Sequence, residues 1–168
     1  MTWRLEGSLP IARVTDLWTS DGPKFVELDR LLDAVPAGPR WLERPDIAPI
    51  VVGALLKGQR ELRYELGAWV LMPNHLHAAL RPLDDHDLAS TVGGIKGSSA
   101  REANRLLNRS GSPFWAKDYF DRRIRDGDHE GRVRRYIENN PVKAGLCSGV
   151  EDWHWSSAGK TRLEAACA

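Results

Sequence analysis

A predicted β-hairpin constrains the fold of this chain most strongly. The apolar, β-prone run Leu66–Leu71 is followed by a break at Pro73-Asn74, and a second apolar run extends from His75 to Leu80. This pattern predicts a strand, a turn and a second strand. Because successive side chains of a strand point to opposite faces, His75 and His77 would share one face. Paired imidazoles of this kind indicate a metal site, and the alternative is a pair of satisfied core histidines.

Patterns on both sides of the hairpin predict the remaining elements. They are a short strand at Thr2–Leu5, helices at Phe25–Val35 and Asp46–Lys57, a helix within Asp84–Arg109, a strand at Tyr119–Ile124 and a helix at Asp128–Asn140. This order predicts an α+β fold, a ferredoxin-like or RRM-like sandwich in which helices cover one face of a mainly antiparallel sheet. We expect a single domain over residues 1–168, with residues 158–168 as a loose tail.

Composition limits the classes of partner. The chain has 24 basic and 23 acidic residues, so a nucleic-acid partner has to be argued from local charge rather than from the net charge. Its two cysteines, Cys147 and Cys167, lie far apart in sequence, which argues against a disulfide framework or a cysteine zinc site. No apolar run has the length of a membrane span, and the first residues lack the apolar core of a signal peptide. We therefore expect a cytoplasmic protein without a membrane partner, associated with the nucleoid when bound to DNA.

One segment is locally basic. Between residues 96 and 109, four basic side chains stand against Glu102 alone, a net charge of four minus one, or plus three. Such a segment is either a solvated helix face or a surface that contacts phosphates. The candidates for DNA contacts over the whole chain are Lys96, Arg101, Arg132, Arg135 and Lys143.

The last predicted helix carries a second set of polar side chains. Tyr136 and Asn140 are four residues apart and therefore lie on one helix face, whereas Asn139 is about 300° around the helix from Tyr136. Two imidazole nitrogens and one amide oxygen form an incomplete ligand set that suits Mg²⁺ or Mn²⁺. A metal beside a tyrosine suggests phosphoryl transfer to the phenol. The alternative is that Tyr136 packs on Val133 and Asn140 merely ends the helix.

Several motifs recur together in one known family. They are Met72-Pro73-Asn74-His75-Leu76-His77, Lys96-Gly97-Ser98-Ser99-Ala100-Arg101, Phe114-Trp115, Tyr119-Phe120-Asp121, Arg125-Asp126, the run Tyr136–Leu146 and the run Trp153–Ser157. In order and spacing they resemble the REP-associated tyrosine transposases, which are single-tyrosine transposases of the HUH nuclease superfamily.

The resemblance implies an activity and roles for four residues. It implies a single-stranded DNA endonuclease and strand transferase that recognises hairpin or inverted-repeat DNA and forms a 5′-phosphotyrosine intermediate with a divalent metal, Mg²⁺ or Mn²⁺. His75 and His77 match the metal-binding histidines, Tyr136 matches the nucleophile, and Asn140 takes the place of the third ligand. Relatives include monomers and homodimers, so both states stay open.

Two other functions remain open on the same fold. A non-catalytic, sequence-specific DNA-binding regulator would bind a hairpin without cleaving it. A hydrolytic metallo-phosphodiesterase would use an activated water and would not need Tyr136.

Overall fold

The computed structural model describes residues 1–9, 29–33 and 38–159 of the chain. Residues 29–33 are helical. The other elements are, in chain order, β1 (Thr2–Arg4), a 3₁₀ turn (Trp41–Glu43), α1 (Ala48–Arg60), β2 (Tyr64–Leu71), β3 (His75–Pro82), α2 (Leu88–Leu106), α3 (Gly127–Glu138), α4 (Asn140–Lys143) and a second 3₁₀ turn (Val150–Asp152).

The sheet is three-stranded and antiparallel, with β3 in the centre and the order β1-β3-β2. The hairpin predicted from the sequence is confirmed, and the Met72 N–H donates to the His75 carbonyl at 2.8 Å across its turn. Thr2 and Val70 both lie opposite His77, one on each neighbouring strand. The central strand therefore holds His77 between two partners.

Alternation along the strands sorts the apolar side chains into two clusters. Trp69, Leu71 and Leu76 belong to the main core, which α1 and α2 cover. Val70 points to the opposite face and packs with Ile137 of α3 in a second cluster. The α+β fold with an antiparallel sheet is confirmed. The structure adds that α3 covers the face opposite to α1 and α2, and this is also the face of His75 and His77.

Helix α1 extends past the end predicted from the sequence. We expected Gly58 to follow a helix that ended at Lys57, but Gly58 lies inside α1. A Cβ atom at this position would overlap the buried ring of Tyr64. Glycine is therefore required here for close packing of the helix on β2.

The C-terminus of α1 is a Schellman motif with leucine, rather than glycine, at its positive-φ position. The N–H of Leu62 donates to the Gln59 carbonyl at 3.1 Å, and the N–H of Arg63 donates to the Gly58 carbonyl at 2.9 Å. Leu62 has a φ of +54° and is 70% exposed. The motif thus places a leucine in a conformation that favours glycine.

Helix α2 confirms the helix predicted within residues 84–109. Asp87 caps its N-terminus by accepting from the Ser90 N–H at 2.9 Å. The glycine-containing middle remains helical because Val92 and Ile95 are buried against the core on either side of it. Packing thus outweighs the low helix propensity of glycine.

The last predicted helix is divided in two. Helix α3 ends at Glu138, and after Asn139 the short helix α4 begins at Asn140. We expected Pro141 to stop the helix, but it lies inside α4, because proline is tolerated in the first turn of a new helix.

The strand predicted at Tyr119–Ile124 is wrong. Phe120 forms an isolated bridge with Thr2 through two hydrogen bonds of 2.7 and 2.8 Å, and the residues that follow it are not in a strand. Because β1 has only three residues, it offers few backbone groups for a longer ladder.

Two expectations fall largely outside the described residues. The helix predicted at Phe25–Val35 is helical at residues 29–33, and its remaining positions lie outside the described part. Of the tail expected at residues 158–168, residues 160–168 lie outside it as well. Among the helices in the described ranges, none combines the length and apolar character needed to cross a membrane.

Candidate functional site

The two histidines of β3 converge on one point. Both side chains are fully buried on the same face of the sheet, as strand alternation requires. Their Nε2 atoms lie 3.0 Å apart, and their rings meet nearly edge to face. Two nitrogen ligands that each lie about 2.1 Å from one ion at a right angle would be separated by about 3 Å. The spacing of the two Nε2 atoms therefore suits chelation of one cation.

Asn74 sets the tautomer of His75. Its amide Nδ2 donates to the Leu32 carbonyl at 2.8 Å, so its Oδ1 faces the imidazole and lies 2.7 Å from His75 Nδ1. An amide oxygen only accepts, which places the proton of His75 on Nδ1. The Nε2 lone pair of His75 is thus directed toward His77.

His77 is held by a contact with the neighbouring strand β1. Its Nδ1 lies 2.7 Å from the buried hydroxyl of Thr2 on β1. Complete burial lowers the pKa of His75 and of His77 to about 3. Both rings are therefore neutral at physiological pH, which is the form of histidine that ligates metals.

Asp29 completes a cluster that the sequence did not indicate. It lies on the 29–33 helical segment, is 3% exposed, and its Oδ1 is 3.5 Å from His77 Nε2. The ligand atoms of Asp29, His75 and His77 all lie within 4.8 Å of one another. Among the described residues, this Oδ1 has no hydrogen-bond partner although it is buried. A divalent cation would satisfy this oxygen, since an unpaired buried carboxylate oxygen is costly, so the donor set fits a metal.

Tyr136 approaches this cluster from α3. Its ring lies 6.3 Å from the ring of His77, and its hydroxyl donates a short hydrogen bond to Asp29 Oδ2. Burial, followed by the nearby Asp29 carboxylate, raises the pKa of the Tyr136 phenol. Burial also raises the pKa of Asp29, while His75 and the hydrogen bond from Tyr136 act in the opposite direction. The ammonium of Lys143 lies 4.4 Å from the centre of the Tyr136 ring.

Asn140 also lies in the site. Its side chain is buried, its Nδ2 is 3.5 Å from the Tyr136 carbonyl, and its amide acts to lower the pKa of the Asp29 carboxyl, against the effect of burial. The break at Asn139 therefore does not separate Asn140 from Tyr136. The role of Asn140 as a metal ligand stays a prediction.

The predicted DNA-contact residues occupy different surroundings. Lys96 is tied to the protein itself, because its ammonium donates to the carbonyls of Ala116 at 2.7 Å and Lys117 at 3.0 Å. Arg101 is exposed on α2, and Arg132 and Arg135 are exposed on α3. Lys143, as noted above, lies against the Tyr136 ring. Only part of this predicted set thus lies near the tyrosine.

Comparison with known protein families gives a match over more than half of the chain. The family model described as "Transposase IS200 like" matches residues 47–140, a range that contains His75, His77, Tyr136 and Asn140. The chain belongs to the IS200-like transposase family. Asp29 lies outside the matched range, in keeping with the absence of any motif around it.

Two known proteins are similar to this chain. The REP-associated tyrosine transposase of Escherichia coli (strain K12) is 31% identical over 105 residues, which is 62% of this chain and 60% of that protein. A solved structure of a REP-associated tyrosine transposase bound to a REP hairpin matches with a TM-score of 0.57 at 21% identity, covering 93% of this chain and 73% of that one. The resemblance inferred from the motifs and the α+β fold are both confirmed.

Proposed function

We propose that this IS200-like transposase chain is a single-stranded DNA endonuclease and strand transferase that acts through Tyr136. The observation that carries the proposal is the hydrogen bond from the Tyr136 hydroxyl to Asp29, which also belongs to the buried cluster with His75 and His77. A nucleophile and a metal-ligand cluster are thereby joined through one carboxylate.

His75, His77 and Asp29 are the residues that would hold the ion, with the amide oxygen of Asn140 as a further candidate ligand. Mg²⁺ or Mn²⁺ bound there would polarise the scissile phosphate and stabilise the charge that develops on its oxygens.

The protein groups supply the nucleophile and its orientation. The hydroxyl oxygen of Tyr136 forms a bond to phosphorus while the bond from phosphorus to the 3′-oxygen breaks. The phenol proton passes to Asp29 Oδ2, and the leaving 3′-oxygen takes a proton from water, so the released strand ends in a free 3′-hydroxyl. Asp29 Oδ2 already accepts the phenol proton in a hydrogen bond, so it holds the hydroxyl in place. The positive charge of Lys143 beside the ring favours the phenolate, which is the leaving group when the strands are rejoined. Because the phosphotyrosine conserves the bond energy, rejoining needs no external energy source.

The proposed partner is single-stranded DNA that forms a hairpin or an inverted repeat. One matching structure is of a protein bound to a REP hairpin, and exposed arginines lie on α3 near Tyr136. Tyr136 contacts the cluster of its own chain, which supports a site formed within one chain.

The decisive experiment looks for a covalent adduct. Labelled hairpins from inverted repeats that flank the gene are incubated with the protein and Mg²⁺ or Mn²⁺, and then separated under denaturing conditions. We expect an adduct that resists denaturant, requires the cation and is absent from Tyr136→Phe. Tyr119→Phe is the matched control and should retain it, since Tyr119 packs against the main core instead. An adduct that persists in Tyr136→Phe would refute the proposal. Tight binding without cleavage would favour a regulator, and cleavage that survives Tyr136→Phe would favour hydrolysis by water.

A second experiment tests the ligand role of Asp29. Asp29→Ala should weaken Mn²⁺ binding at least about 10–100-fold, since the loss of groups that only support metal ligands already has an effect of that size. Asp85→Ala is the control, because Asp85 is exposed in the loop after β3, away from the cluster, and should leave Mn²⁺ affinity unchanged. Equal affinity in Asp29→Ala and wild type, with a loss in Asn140→Ala, would assign the third ligand to Asn140.

A further inference from the structure

A cavity of about 470 Å³ lies beside Tyr136. One wall is the face of α3 that carries His129, Arg132, Val133, Tyr136 and Ile137, which are spaced three and four residues apart. The opposite wall comes from the irregular stretch 122–126 and from Met1. The cavity therefore runs along α3 from the tyrosine toward the N-terminus of the helix.

Its polar lining is strongly cationic. Arg122, Arg125 and Arg132 form no ion pair with any residue in the described ranges. Asp126 is the single acidic residue in this lining, and its carboxylate is engaged as the N-cap of α3, accepting from the His129 N–H at 2.7 Å. Its arginine and aspartate side chains carry three positive charges and one negative charge, a net charge of plus two.

His129 presents a further donor. Its Nδ1 lies 3.3 Å from the backbone N–H of Arg125 and accepts from it. Because Nδ1 accepts, the ring proton lies on Nε2, which remains able to donate to a phosphate oxygen. Val133 and Ile137 add apolar surface at the end of the cavity nearest Tyr136.

We propose that this cavity binds the nucleotide whose 5′-phosphate Tyr136 carries after cleavage, with Arg122, Arg125 and Arg132 contacting its phosphates. The inference rests on the proposed function for the identity of that nucleotide. A nucleotide joined to the Tyr136 oxygen stays within one phosphodiester of the ring, and Arg132 lies one turn away on the same helix face. Arginines bind phosphates through paired N–H donors, and the apolar end accommodates the sugar and base.

The contacts are tested by DNA binding rather than by cleavage. Fluorescence anisotropy measures binding of a labelled twelve-nucleotide oligothymidylate to Tyr136→Phe protein, which keeps the ring but cannot react. In this background Arg122→Ala, Arg125→Ala and Arg132→Ala should each raise Kd about 5–10-fold. Each should also reduce the slope of log K against log salt concentration by about 0.7, the value for one lost phosphate contact on a single strand.

Arg123→Ala is the matched control, since Arg123 is exposed in the same stretch, does not line the cavity and removes the same charge. It should change Kd less than twofold and leave the slope unchanged. An equal effect of Arg123→Ala and the three cavity variants would overturn the proposal, as would unchanged binding in all of them. Unfolding midpoints of the variants should match that of the Tyr136→Phe protein, because the replaced side chains are exposed.

The DNA-binding result for the arginine variants does not depend on whether the proposed cleavage activity is found. A protein that forms no covalent adduct still gives a binding result for each arginine. If the adduct does form on a flanking hairpin, the three cavity variants should raise KM more than they lower kcat, and an effect on kcat alone would contradict a binding role.

Discussion

Replacing Asn74 with alanine would remove one link between the two histidines of the candidate metal site and the helical segment that carries Asp29. The Asn74 amide donates to the Leu32 carbonyl at 2.8 Å and lies 2.7 Å from His75 Nδ1. All three residues are at most 4% exposed. The substitution thus removes two buried hydrogen bonds and leaves a carbonyl and an imidazole N–H without their partners.

The expected cost follows from those two groups. Each buried polar group that loses its partner costs about 1–3 kcal/mol, so the free energy of unfolding should fall by about 2–6 kcal/mol. This is a large fraction of the roughly 5–15 kcal/mol that stabilises a typical domain. Since the amide also directs the His75 lone pair, Mn²⁺ affinity should fall about 10–100-fold.

Urea unfolding and isothermal titration with Mn²⁺ measure the two effects separately. Asn104→Ala is the control, because the buried Asn104 amide donates to the Ser112 carbonyl at 2.7 Å, away from the cluster. This control should lose about 1–3 kcal/mol of stability and keep its Mn²⁺ affinity. The affinity of Asn74→Ala for Mn²⁺ is measured at a temperature where this variant is folded. A Kd within twofold of the wild-type value would refute the role assigned to Asn74.

Three further predictions concern the packing of α1. Gly58→Ala should lower the free energy of unfolding by about 1–3 kcal/mol, because the added methyl group meets the Tyr64 ring. In Gly53→Ala, in the same helix, the methyl group meets nothing within 4 Å, and the free energy of unfolding should rise by up to about 1 kcal/mol. Urea unfolding measures both changes. Leu62→Gly should raise the unfolding free energy by about 1 kcal/mol, since it relieves the positive φ, and a lower value would contradict that explanation. Tyr64 donates to the Leu55 carbonyl, and burial raises the pKa of its phenol from 10.0 to about 12. Its contribution is therefore complete below about pH 10 and lost as the pH rises through 12, a change of about 2–3 kcal/mol that Tyr64→Phe should lack in unfolding series from pH 9 to 12.

The sequence predicted those parts of the site that depend on local geometry. Strand alternation placed His75 and His77 on one face, and the four-residue spacing placed Tyr136 beside Asn140. Both relations survive in the structure, because the period of a strand or a helix is fixed by the backbone. The break after Glu138 changes the helix boundary without separating the two side chains.

The parts that depend on contacts distant in sequence were not predictable in this way. Asp29 reaches His77 across 48 positions of sequence, and no motif surrounds it. Lys96 is a second example. The basic segment around it suggested DNA contacts, whereas its ammonium donates hydrogen bonds to the carbonyls of Ala116 and Lys117. The predicted strand at Tyr119–Ile124 failed because β1 proved too short to pair with it.

Mass spectrometry of the covalent adduct tests the central claim most directly. Wild-type protein is trapped on a flanking hairpin with Mn²⁺, the DNA is trimmed with nuclease, and the protein is digested with trypsin. Cleavage after Arg135 and Lys143 isolates a peptide of residues 136–143, in which Tyr136 is the single tyrosine. We predict that this peptide carries the mass of a 5′-linked nucleotide on Tyr136. A nucleotide on any other residue, or cleaved DNA with a free 5′-phosphate and no modified peptide, would contradict the account.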